Sequence, residues 1–124
     1  MPYTLHTDGP YLEIRVTGVV TDADLQQITV DAARIEAERA VTPSRLVDLH
    51  AVTGLQIGFP EIFALAQWRR SLPVKNPVRT AIVVATDAQY GMARMFQTLN
   101  THPQITLEIF RDRTAAEAWR AERA

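Results

Sequence analysis

The chain has 124 residues, 47% of them hydrophobic and 22% charged, a balance that excludes disorder and leaves enough apolar surface for a core without metal or disulfide. Thirteen basic residues against fourteen acidic ones give a formal charge of -1 with no basic run, which argues against nucleic acid as a partner. The absence of cysteine removes disulfides, thiolate nucleophiles and sulfur-ligated zinc.

No apolar run approaches the roughly 18 residues of a membrane span, and MPYTLHTDG lacks a charged segment followed by an apolar one. The expectation is one cytoplasmic domain over residues 1–124, with no membrane span. Tyr3 to His6 alternates apolar and polar, Asp8-Gly9-Pro10 is a turn cluster, and Tyr11 to Thr17 alternates again with Leu12, Ile14 and Val16 on one face. This spacing predicts a hairpin. Thr21 and Asp24 read as a capping box, and Leu25, Ile28, Ala32 and Ile35 follow at helical spacing, which predicts a helix over 22–39. Thr42-Pro43-Ser44 ends that segment, because the residue before proline is pushed out of helical geometry.

Leu46, Val47 and Leu49 predict a short buried strand with Asp48 near its carboxyl end, followed by a polar turn over 50–58 and a helix opening at Pro60. Ile62, Leu65, Ala66 and Arg69 share one face of that helix, and Phe59, Phe63 and Arg70 lie along another. Leu72-Pro73 and Asn76-Pro77 terminate it. Val78 to Thr86 contains AIVVA, the most hydrophobic run and the expected central strand. Asp87 is placed to cap a third helix in which Met92, Met95, Phe96 and Leu99 recur, and Gly91 inside it suggests close approach of a neighbouring element. Ile105, Leu107 and Ile109 alternate as a last strand, and Thr114 with Glu117 reads as the capping box of a final helix carrying Ala118 and Trp119 inward. The order β-β-α-β-α-β-α-β-α predicts an α/β fold with a single mixed, mostly parallel sheet of about five strands and four helices, its first strand antiparallel at an edge.

The phrases VDLHAVTG, AIVVATDAQYGMARMFQTL and EIFRDRTAAEAW, in that order, resemble the SpoIIAA-like, or STAS-like, proteins of bacteria over nearly the whole chain. The resemblance implies a single SpoIIAA/STAS-like domain. In the anti-sigma-factor antagonists of that group, a phosphorylatable serine stands in a DSSG-like phrase after the strand that ends in Asp. Gln56, Ile57, Gly58 and Phe59 occupy those places here, and Thr53 is the nearest hydroxyl. The sequence looks more like the branch without that serine, STAS-like and CRAL-TRIO-like proteins, which implies binding of a hydrophobic small molecule.

Open α/β sheets bind ligands beyond the carboxyl ends of their strands, an edge that here gathers residues 21–24, 50–58, 86–90 and 111–114. The acidic residues at those helix starts read as caps. His6, His50 and His102 lack metal-site spacing, so neither metal nor cofactor is expected. Asp48 and His50 stand two apart on a strand as a candidate acid–base pair, weighed against a turn histidine bonded to backbone. His50, Thr53, Phe59, Phe63, Tyr90, Met92 and Phe96 are the candidate ligand-binding residues. The apolar surplus on the second helix points to a pocket or to a subunit interface through Phe59, Phe63 and Trp68, and the interface is favoured because symmetric dimers are common. The expectation is a non-catalytic binding or regulatory module that forms a homodimer. A carrier of a small hydrophobic or amphipathic ligand is the alternative, and an enzyme using His50 and Asp48 the second.

Overall fold

The computed structural model describes residues 2–122. Its elements are β1 (Tyr3–Asp8), β2 (Tyr11–Thr21), α1 (Asp22–Ala37), β3 (Ser44–Gln56), α2 (Phe59–Ser71), β4 (Val78–Val83), α3 (Asp87–Leu99), β5 (Ile105–Phe110) and α4 (Arg113–Ala121). The five strands lie in the order β1-β2-β3-β4-β5, with β1 antiparallel at the edge and the others parallel as expected; β3 is in the middle of the sheet, and the strand of the AIVVA run, β4, lies next to it rather than at the centre. Gly9, at φ +58°, makes the tight link between β1 and β2 in a region that favours glycine.

Every crossover from β2 onward steps in the same direction across the sheet. Right-handed connections of that kind deposit all their helices on one face. α1, α2 and α3 therefore line up on one side, and α4, which follows the last strand, packs alone on the other against β3, β4 and β5. Under the three helices, Leu12, Ile14 and Val16 meet Ile28 and Ala32, while Ile82, Val84 and Leu107 meet Ala93. On the opposite side Leu46, Ala81 and Val83 are covered by Ala116, with Phe110 and Trp119 beside them.

Several local expectations are corrected. The segment read as a polar turn after Asp48 is strand as far as Gln56, paired with a β2 that itself runs on to Thr21. Two register shifts, between Arg15 and Thr17 and between Gly18 and Val19, break the alternation from which strands are read. Gly18, at φ +70°, sits at the second. Beyond Asp48 the β3 strand has, among the described residues, only β2 as a partner, because β4 ends opposite it at Val83, which is why exposed polar residues such as His50 and Thr53 are tolerated there. The N-cap of α3 is Thr86, closing a capping box with Gln89, and Asp87 is the first helical residue. Asp112 caps α4 by accepting from the Ala115 N–H, which places Thr114 inside the helix. Ala116 is the buried alanine of α4, whereas Ala118 is exposed. A Cβ on Gly91 would meet nothing within 4 Å, so no neighbouring element approaches there. The capping box of Thr21 and Asp24 on α1 is present as read.

Candidate functional site

Between the sheet and its three-helix layer lies a cavity of about 160 Å³. Strand periodicity builds its floor: Val47 and Leu49 of β3, Ile82 of β4 and Leu107 of β5 all project to the helical side. Ile28 of α1, Ile62 and Leu65 of α2, and Met92, Ala93 and Phe96 of α3 form its roof. An outer groove of about 330 Å³ runs between α1 and α2, and Leu25, Thr29, Leu65 and Trp68 line both spaces. Those four side chains form the lip of the cavity.

The polar end lies where the parallel strands begin. Arg45, at the start of β3, shares the face of Val47 and Leu49 and stands in register with Thr80 of β4; both line the cavity, as does Arg69 from the last turn of α2. Glu36, on the buried stripe of α1 four residues after Ala32, receives both guanidiniums. Arg69 donates Nη1 to Oε1 at 2.7 Å and Nη2 to Oε2 at 3.1 Å, and Arg45 Nη2 lies 3.0 Å from Oε1. Burial alone would raise the Glu36 pKa, but the charge of Arg45 and the bonds from Arg69 outweigh it and hold the carboxyl below its ordinary range. Burial, followed by the neighbouring charge of Arg69, pushes Arg45 down to about 10 even though Glu36 acts to raise it.

The candidate catalytic pair sits on the other face of the sheet. Asp48 is buried, accepting from the backbone N–H of His50 at 2.9 Å and from Arg113 Nη1 at 2.8 Å. His50 is exposed, with Nδ1 3.5 Å from Asp48 Oδ1. Arg113 also donates to Glu117 and Glu13, tying α4 to β2 and β3. Burial works against the Arg113 charge, but the carboxylates of Glu13, Glu117 and Asp48 raise its pKa overall. Both oxygens of the Asp48 carboxylate thus accept a hydrogen bond, and the one from Arg113 ties α4 to β3.

Of the residues singled out from the sequence, Met92, Phe96 and Trp68 line the cavity. Phe59 and Phe63 lie outside it on the exposed side of α2, 5.9 Å apart between ring centroids. Tyr90 is exposed beneath the Arg111 guanidinium, and Thr53 and His50 are exposed along β3. None of these five, Phe59, Phe63, Tyr90, Thr53 and His50, lines the cavity. Sequence reasoning grouped Arg69 with Ile62, Leu65 and Ala66 on one face of α2 but passed over Arg45 and Glu36. The signal for Arg45 was its two-residue spacing from Val47, and for Glu36 its four-residue spacing from Ala32.

A sequentially ordered sheet with one antiparallel edge strand, three helices on one face and one on the other is a SpoIIAA-like fold. The chain is similar in structure to an uncharacterised protein of the DUF3478 family with a SpoIIAA-like fold, from Shewanella loihica PV-4, with a TM-score of 0.63 and 20% identity over 96% of this chain and 92% of that one. At that identity the likeness is one of fold. No family model matches the chain, and no curated protein matches it. Among the described residues no helix is long and apolar enough to cross a membrane.

Proposed function

We propose that this chain is a non-catalytic binding module, one SpoIIAA/STAS-like domain that carries a small hydrophobic or amphipathic ligand between its sheet and helices α1 to α3. The cavity of about 160 Å³ carries this reading. Apolar cavities of about 150 Å³ stay dry and accept benzene-sized molecules. At about 24 cal/mol per Å³, an unfilled space of this size forgoes on the order of 4 kcal/mol of packing, which an occupant would return. The engagement of Asp48 by Arg113 and by the His50 backbone supports a structural role for Asp48 and His50. A homodimer is the second reading, supported by the exposed Phe59, Phe63 and Trp68 on α2.

Native mass spectrometry of gently purified protein tests both. A small-molecule adduct that disappears on organic extraction is expected, together with a species of twice the chain mass. A clean apo mass with no uptake from a panel of small apolar compounds would end the carrier reading. A strict monomer well above cellular concentration would end the dimer.

A further inference from the structure

The charge around the cavity is unbalanced in a way that identifies its ligand more closely. Two guanidiniums converge on a single carboxylate. Among the described residues Arg45 and Arg69 line the space and no carboxylate does; Glu36, which both arginines contact, is not part of the lining. The side chain of Arg69 is 8% exposed and that of Arg45 is 13% exposed, so water screens neither well. Within the described residues the Nε of Arg45 is buried with no hydrogen-bond partner. An unpartnered buried donor on a cation is expensive to leave unmade. The carboxylates of the outer groove, Asp22 and Glu61, sit at the opposite ends of α1 and α2. There Asp22 accepts from Gln26 and Glu61 from the Gly58 N–H.

Building on the carrier reading, we infer that the ligand is an anionic amphiphile: a compact apolar body with one carboxylate, the body among Ile82, Phe96 and Leu107 and the carboxylate against Arg45 and Arg69. The apolar walls accept any hydrophobic body of the right volume. The arginines decide the sign of its charge. Arg69 already gives two bonds to Glu36, whereas Arg45 gives one and keeps Nε in reserve, so Arg45 is the residue that discriminates. Arg-to-carboxylate pairing is geometrically selective, and a charge-assisted hydrogen bond in a site shielded from water is worth roughly ten- to a hundredfold in affinity.

Titration calorimetry with octanoate, octanol and octylamine compares three head groups on one chain length, and phenylacetate against benzyl alcohol repeats the comparison on a shorter body. Both carboxylates are expected to bind at least about tenfold more tightly than the matching alcohols, with the amine not binding. In Arg45→Met, which leaves the Glu36–Arg69 pair intact, the ratio of acid to alcohol affinity is expected to fall to about one. Equal affinity for acid and alcohol in the wild type overturns the anion selectivity, and an acid preference that survives Arg45→Met overturns the assignment of that selectivity to Arg45; either leaves the carrier reading standing. Failure of every acid and alcohol to bind overturns both. The wild-type comparison needs no variant, so it decides the question even where Arg45→Met does not fold.

Discussion

Glu36 is the residue on which the interior is balanced. It is 8% exposed and is the carboxylate that two buried guanidiniums share, so its loss leaves like charges facing each other in a poorly screened space. Glu36→Gln keeps the shape and removes the charge, and urea denaturation is expected to show a loss of about 3–5 kcal/mol at neutral pH. The pH dependence follows from the direction of the shift. The folded pKa of Glu36 lies below its unfolded value, so its contribution is fully present above the unfolded value and disappears as pH falls through the folded one. Wild type and Glu36→Gln are therefore expected to differ strongly at pH 7 and to converge in acid. A difference that persisted unchanged in acid would show that Glu36 acts through packing alone. These residues were partly legible: spacing set Arg69 on the same face of α2 as Ile62 and Ala66. Glu36 and Arg69 meet across 33 residues of chain, and that meeting depends on strand order and crossover hand rather than on local pattern.

Among the elements, the helices were legible in number and position because their apolar spacing is strong, and so was the start of α1, whereas the starts of α3 and α4 were not. Thr86 and Asp112 are the caps of α3 and α4, and each accepts from a backbone N–H of the first turn. The neighbouring Asp87 and Thr114 are equally good capping residue types, so composition alone does not choose between them. Chemical denaturation distinguishes them. Thr86→Ala and Asp112→Ala are each expected to cost about 1 kcal/mol, and Thr114→Ala, whose side chain caps nothing, only a few tenths. Equal losses at Thr114 and Asp112 would put the start of α4 elsewhere. The long β2–β3 pair was illegible for a different reason. Its register shifts reset which residues face the core, and Val52 is buried after the alternation of Leu46 and Asp48 has been broken.

At the scale of the molecule, one topological choice produces both the core and the void. Stepping every crossover in one direction fans three helices over one sheet face, and α4 alone must cover the other. The two sides differ accordingly: Ala116 lets α4 sit closely on Leu46, Ala81 and Val83, whereas the three-helix side spans a wider floor that its side chains do not fill. Ala93, 5% exposed on α3 between Met92 and Phe96, is the smallest side chain lining that space and faces Ile82 and Leu107. Replacing it with leucine puts a larger apolar group where there is room. If the void exists to hold a ligand, Ala93→Leu is expected to stabilise the free protein by roughly 0.5–2 kcal/mol, as cavity-filling substitutions do, and to abolish octanoate binding. Well-packed sites respond in the opposite sense, since extra methylenes there force side chains off their rotamers at a cost of about 1–3 kcal/mol. Thermal denaturation and calorimetry on the same sample separate the outcomes. A gain in stability with loss of binding fits a fold that leaves its interior incompletely packed in order to hold a guest, and a loss of stability would show that the interior beside Ala93 is already full.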